Sequence, residues 1–89
     1  MIRVNFPGVH EMLMFDGEVL EAFYGDKSQR VHIIHIQGIQ VNTDRKGNHD
    51  LRINTVVGAI PYIPFEQELL PKVNELVAEV QKAMSSYKS

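Results

Sequence analysis

Histidine is the residue type in this chain with the widest chemical repertoire, because an imidazole can bind a metal ion or carry a proton. His32 and His35 are three residues apart in an apolar segment, whereas His10 and His49 are distant in sequence. On a regular strand, His32 and His35 would point to opposite faces. A zinc site needs three or four ligands in a fixed geometry. We therefore predict no metal site and no cofactor, and we interpret His32 and His35 as exposed or hydrogen-bonded residues of a sheet.

Nucleophilic side chains form no recognisable catalytic pattern. The chain has no cysteine, which excludes disulfides, thiolate catalysis and cysteine-based zinc sites. Serines occur only in a predicted loop and in the C-terminal tail, at Ser28, Ser85, Ser86 and Ser89. The G-x-S-x-G, phosphate-loop and H-E-x-x-H motifs are absent. We therefore predict no catalytic residues and no enzymatic activity.

Basic side chains offer a different chemistry, the recognition of anions. The net charge is -2, so the chain lacks the basic excess that displaces counterions from nucleic acid, and we predict no nucleic-acid partner. Together with Lys27, four basic residues form the basic concentration of the chain, and these four are the candidate ligand-binding residues if the strands gather them at one rim: Arg30, Arg45, Lys46 and Arg52. Their ordinary interpretation is a solvated surface. An anionic ligand or a lipid headgroup is therefore the alternative function, and a membrane surface is not the favoured partner.

The length of the chain limits how these residues can be positioned. Its 89 residues predict one small domain over 1–89, and the 44% of hydrophobic residues are sufficient for a core. The N-terminal residues lack the basic and apolar regions of a signal peptide. No apolar run approaches the roughly 18 residues of a membrane span. We expect a cytoplasmic domain, for which self-association would be a natural way to bury more surface.

Alternation of apolar and polar residues predicts six to seven antiparallel strands between residues 2 and 63. Asp16-Gly17 predicts a two-residue type I′ turn in which Phe15 faces Glu18. A loop over 25–28 follows, and a second hairpin turn with a glycine is predicted over 44–48.

Two further segments carry information about the sheet. The apolar alternation of Arg30 to Val41 breaks at Ile34, which predicts two strands that meet at a corner or bulge, with His35 at the bend. The apolar segment 56–63 is interrupted by Gly58 and Pro61 and followed by Pro64, which indicates an edge strand or an irregular crossing, with 56–60 as its apolar edge. An unpaired apolar edge is a template for pairing with another chain.

The C-terminal third has helical periodicity. Apolar residues spaced three and four apart predict one amphipathic helix over about 65–86, with Met84 and Tyr87 able to extend beyond a small core. Pro71 conflicts with a helix interior, so either the helix proper starts near Leu70 or a first turn from Phe65 is offset by a kink. Antiparallel strands followed by one helix give an α+β fold, which we expect to be a curved sheet or partly open barrel capped by the helix.

The order of these elements resembles the pleckstrin-homology (PH) superfold in its short bacterial form. In that family a polar residue turns a corner, an isoleucine follows, and apolar residues come three and five positions later. Here His35, Ile36, Ile39 and Val41 match this pattern. The resemblance implies a PH-like fold. The loop 7–11 lacks the lysines and arginines with which eukaryotic PH domains bind phosphoinositides.

Taken together, these features lead us to expect a non-catalytic binding or assembly module with a PH-like fold. Its expected partner is another protein or a second copy of the chain, in a homo-oligomer.

Overall fold

The computed structural model describes residues 2–6, 11–56 and 62–88. Within these residues, seven strands precede one α-helix, α1 (Leu70–Lys88). The strands are β1 (Ile2–Phe6), β2 (Glu11–Phe15), β3 (Val19–Tyr24), β4 (Lys27–His32), β5 (Ile36–Thr43), β6 (His49–Thr55) and β7 (Ile63–Phe65). Two 3₁₀ turns interrupt the chain, at Ile33–His35 and at Gln67–Leu69. The predicted α+β class, with antiparallel strands and a C-terminal helix, is confirmed.

The strands form two sheets. One contains β1 to β4 and the other contains β5 to β7, and within each sheet every strand pairs antiparallel with its neighbour in sequence. The described strands do not close into a barrel. The chain therefore passes from the first sheet to the second at the segment between β4 and β5.

One core lies between the inner faces of both sheets and α1. It contains Val4, Phe6, Leu13, Phe15, Leu20, Ala22, Val31, Ile33, Ile36, Ile39, Leu51, Ile53, Ile63, Val73, Leu76 and Val80. On the strands most of these residues alternate with exposed or half-buried ones, as a sheet with one covered face requires. On α1 the three buried residues are spaced three and four apart, so one stripe of the helix completes the core.

The turn between β2 and β3 differs from its prediction. Phe15 pairs with Leu20 and not with Glu18, so the central residues of the turn are Gly17 and Glu18. Gly17 has a φ of 108°, which suits glycine, and Asp16 Oδ1 accepts the backbone N–H of Glu18 at 2.9 Å. The predicted register was wrong by two residues. Because that shift is even, each side chain stays on its predicted face.

The turn between β3 and β4 is shorter than predicted. Tyr24 pairs with Lys27, which leaves only Gly25 and Asp26 as the turn. Gly25 has a φ of 65°, the left-handed conformation that two-residue hairpins use. The predicted loop over 25–28 was therefore wrong in its second half, since Lys27 and Ser28 begin β4.

The turn between β5 and β6 confirms the prediction over 44–48. Asp44 Oδ1 accepts the backbone N–H groups of Lys46 and Asn48, each at 2.9 Å, and Gly47 has a φ of 85°. The hydrogen bond from the Asn48 backbone is the main reason why the pKa of Asp44 lies below its usual value. The carboxylate of Asp44 therefore holds this turn together.

The predicted corner is confirmed, and its geometry is a single 3₁₀ turn. β4 ends at His32 and β5 begins at Ile36. His32 caps the turn, because its Nδ1 accepts the backbone N–H of Ile34 at 3.1 Å. A register irregularity between Ile36 and Gly38 then adjusts the pairing with β6. This corner lets the chain leave one sheet and begin the other.

The helix starts later than the predicted residue 65. Residues 63–65 are paired with β6 as β7, and α1 begins at Leu70 and ends at Lys88. Pro71 is thus the second residue of the helix, where its missing N–H has no intrahelical partner to lose. Of the two alternatives for Pro71, the helix that starts at Leu70 is the one observed.

Candidate functional site

Two of the four candidate ligand-binding residues, both of them arginines, contact carboxylates. Arg30 lies on β4, opposite Glu21 of β3, and its Nε is 3.4 Å from a Glu21 carboxylate oxygen. Arg52 lies on β6, where its Nε donates to Asp50 Oδ1 at 2.8 Å. That hydrogen bond is the main reason why the pKa of Arg52 is raised above its usual value. The guanidinium also lies over the Tyr62 ring, 4.4 Å from its centroid. Arg30 and Arg52 therefore belong to different sheets and have local partners.

The other two basic candidates, Arg45 and Lys46, occupy the exposed turn between β5 and β6. No ion pair joins either of them to a carboxylate in the described parts of the chain. Arg45 and Lys46 therefore lie together in the turn of the second sheet, whereas Arg30 lies in the first sheet.

The histidines take part in separate contacts. The His32 ring meets Tyr87 of α1 edge to face, with centroids 5.4 Å apart. The His49 ring stacks on Phe65 at 5.4 Å, and its Nδ1 is 2.8 Å from Thr43 Oγ1. Across residues 2–6, 11–56 and 62–88, no three potential ligands of the His, Cys, Asp or Glu type come together. His10 lies outside the described residues.

An exposed apolar surface surrounds the corner between the two sheets. Four large apolar side chains are exposed in the described part of the chain, and three lie here: Ile34 (61%), Val56 (57%) and Tyr87 (53%). The backbone N–H of Val56 donates to the carbonyl of His35 at 3.0 Å, and Tyr87 contacts His32. We call Ile34, Val56 and Tyr87 the corner patch.

The corner patch adjoins a shallow cavity of about 390 Å³. This cavity lies between the turn that precedes β3 and the C-terminal part of α1. Its lining includes Phe15, Glu18, Lys82 and Tyr87. Tyr87 is therefore an exposed aromatic side chain at the rim of a depression.

Sequence reasoning found the corner patch only in part. The break in alternation at Ile34 and the position of Tyr87 near the helix end were visible signals, but nothing in the sequence placed them together. Of the predicted apolar edge segment 56–60, only Val56 is among the described residues, so the edge pairing proposed for it lies outside them.

A second and larger groove, of about 580 Å³, lies at the opposite end of the hairpin formed by β5 and β6. Its apolar wall contains Phe6, Phe65 and Leu69. The rings of Phe6 and Phe65 meet at 60° with centroids 6.2 Å apart, and His49 stacks on Phe65 at 18°. These paired rings give the groove a preformed aromatic surface. We call it the β7 groove.

The polar rim of the β7 groove is acidic. Among the described residues that line it, Glu66 and Glu68 carry the formal charges, and both are exposed. Glu66 occupies the N-cap position of the 3₁₀ turn over 67–69, yet its side chain makes no capping hydrogen bond. Neither carboxylate forms an ion pair with the described residues. Arg45 and Lys46 lie beyond Gly47, outside the lining.

None of the described helices is both long and apolar enough to cross a bilayer. Comparison of the chain with protein families, with curated proteins and with solved structures finds no match.

Proposed function

We propose that the protein is a non-catalytic binding module with a PH-like fold that associates with a second copy of itself through the corner patch. The observation that carries the proposal is the clustering of Ile34, Val56 and Tyr87 around one turn. Single exposed apolar residues are common on protein surfaces, whereas several that surround one turn favour an interaction site. In the sequence, Val56 is followed by Val57-Gly58-Ala59-Ile60, which is also apolar.

A twofold interface suits the chemistry of this surface. In a symmetric dimer the same patch of each copy meets its counterpart, so one surface supplies both the projecting and the receiving side. Tyr87 projects at the rim of the cavity next to Glu18 and Lys82. Aromatic residues set in pockets are the usual source of interface energy.

The PH-like part of the proposal has support from the strand order. Seven antiparallel strands are followed by one helix, and the 3₁₀ turn at Ile33–His35 falls within the segment on which the resemblance rests. The absence of cysteine and of catalytic motifs in the sequence supports a non-catalytic role.

Sedimentation equilibrium between about 10 µM and 1 mM tests the proposal, a range that covers dimers with free energies of association near 4–7 kcal/mol. We expect a monomer–dimer equilibrium for the unmodified chain. We expect Ile34→Asp and Tyr87→Ser each to raise the dissociation constant about thirtyfold, which corresponds to a total loss of about 2 kcal/mol, or about 1 kcal/mol from each of the two copies that carry the substitution. Both side chains are largely exposed, so the variants should fold.

Tyr62→Ser provides the matched control. Tyr62 is 58% exposed, as the patch residues are, but it lies beside Arg52 and away from the corner. Its substitution should leave the dissociation constant within about twofold of the original value. A strict monomer at 1 mM, or equal weakening by Tyr62→Ser, would show that the corner patch is not a self-association surface.

Anion recognition has less support. It required Arg30, Arg45, Lys46 and Arg52 to act together, whereas Arg30 and Arg52 lie in different sheets and each contacts a carboxylate. Only Arg45 and Lys46 share a location, and equal binding to neutral and anionic liposomes at low salt would remove this alternative.

A further inference from the structure

We propose that the β7 groove binds a peptide segment of a partner protein in which an aromatic side chain is flanked by lysine or arginine. This site is distinct from the corner patch. The patch lies at the start of β5 and the groove lies past its end, and the eight residues of β5 separate them by roughly 25 Å at about 3.3 Å per residue.

The apolar wall determines the first half of the ligand. The groove volume of about 580 Å³ lies within the range of pockets that hold small ligands or single side chains. Phe65 and Leu69 are half-buried, so part of their apolar surface stays open to solvent. The Phe65 ring contacts the rings of both Phe6 and His49, which restrict its orientation, and a fixed aromatic surface binds an incoming ring without a further loss of side-chain freedom.

The rim determines the second half. Glu66 and Glu68 give the lining two negative charges, and no lysine or arginine is present among the described residues that line the groove. Glu66 stands at a cap position, but its carboxylate is not used by the turn. A cationic group next to the aromatic one would therefore find two carboxylates without ion-pair partners in the described chain. This charge complementarity selects a basic segment over an acidic one.

The edge of the sheet limits how such a segment binds. β7 is the outer strand of its sheet, and its middle residue, Pro64, has no N–H to donate to an added strand. Recognition by the side chains of the groove is thus more suitable here than extension of the sheet by a fourth strand.

Two-dimensional ¹H–¹⁵N spectra of the full chain, titrated with capped tripeptides, test this inference. The probes are acetyl-Lys-Phe-Lys-amide, acetyl-Lys-Ser-Lys-amide and acetyl-Glu-Phe-Glu-amide. We expect the Lys-Phe-Lys peptide to shift the amides of residues 47–49 and 65–69 with a dissociation constant at or below the low millimolar range. We expect the other two peptides to bind at least about tenfold more weakly, because each lacks one half of the recognised chemistry.

Variants then assign the charge effect. Glu66→Gln combined with Glu68→Gln should weaken the Lys-Phe-Lys peptide by about two- to thirtyfold, the range that two exposed ion pairs span. Glu75→Gln removes one exposed carboxylate of α1 outside the groove lining and should leave the affinity unchanged.

Three results would overturn the inference. The Lys-Phe-Lys peptide could fail to bind at about 10 mM, or could bind with shifts away from the groove. The Glu-Phe-Glu peptide could bind as tightly or more tightly, which would assign anion recognition to Arg45 and Lys46. The double variant could bind as the unmodified chain does. None of these readouts depends on dimer formation, so they are independent of the test of the corner patch.

Discussion

The adjacent isoleucines of the corner, Ile33 and Ile34, offer a test in which the residue type is constant and the environment differs. Ile33 is 3% exposed and belongs to the core, whereas Ile34 is 61% exposed. Truncation of Ile33 to alanine removes three buried carbons, worth about 2.4 kcal/mol at about 0.8 kcal/mol each. A residual cavity adds to this value. We expect Ile33→Ala to lower the free energy of unfolding by about 3 kcal/mol.

The same truncation at Ile34 should have a small effect. Most of that side chain is already in water, so Ile34→Ala should change the free energy of unfolding by less than about 1 kcal/mol. Domains of this size typically have a free energy of unfolding of roughly 4–13 kcal/mol, so a variant that loses about 3 kcal/mol at Ile33 should still fold and its stability can be measured. This loss corresponds to a decrease of about 12–24 °C in Tm.

Urea denaturation followed by circular dichroism measures both values. The protein concentration should be about 1 µM, tenfold below the lowest concentration of the association experiment, so that dimer formation contributes little to stability. Similar losses for Ile33→Ala and Ile34→Ala, or a larger loss at Ile34, would refute the assignment of one isoleucine to the core and the other to the surface.

Two further predictions concern the turns. Gly47→Ala should lower the free energy of unfolding by about 1–2 kcal/mol, because the φ of 85° is strained for alanine. Gly38→Ala is the control and should change the free energy of unfolding little, since Gly38 has no such φ and a new Cβ would meet only Asn54 Nδ2 at 3.8 Å. Equal effects of the two substitutions in thermal melts would contradict this prediction. The pKa of Asp44 is lowered chiefly by the Asn48 backbone hydrogen bond, so its contribution to stability is present above the unfolded-state pKa and is lost as pH falls through the folded-state pKa. The stability of the unmodified chain should therefore fall more steeply below about pH 4 than that of Asp44→Asn, and parallel pH profiles in urea denaturation would be the contrary result.

Local patterns predicted the elements of this fold well. The alternation around Ile34 predicted the corner, and glycine with aspartate predicted the turn that begins at Asp44, because these signals act within a few residues. The register at Asp16 was wrong because two turns were compatible with the same dipeptide. The side-chain oxygen of Asp16 bonds to the backbone ahead of it, which moves the central positions of the turn to Gly17 and Glu18.

The start of the helix shows the limit of periodicity. Phe65 and Leu69 are spaced as in a helix, yet Phe65 is held in β7 by pairing with His49 of β6. That pairing is a contact between residues distant in sequence, and a pattern of neighbouring residues cannot reveal it. Pro71 carried the correct signal, because proline is tolerated in the first turn of a helix.

The candidate surfaces were the least predictable part. The alternative of anion recognition required the arginines of the sheet to converge, but their positions depend on which sheet holds each strand. Arg30 precedes the corner and Arg52 follows it, so the chain places them in separate sheets. The corner patch likewise depends on contacts between residues distant in sequence, because these contacts place Ile34, Val56 and Tyr87 around one turn. No spacing of residues in the sequence predicts this arrangement.

The consecutive pairing of the strands has a consequence for how the chain reaches its folded state. Every strand pairs with a neighbour in sequence, so the hairpins close short loops and can form early. The core they share is completed only by Val73, Leu76 and Val80 of the final helix. During synthesis the strands therefore leave the ribosome before the element that covers their apolar faces. Docking of α1 is the step that ends the exposure of the nascent sheets to aggregation.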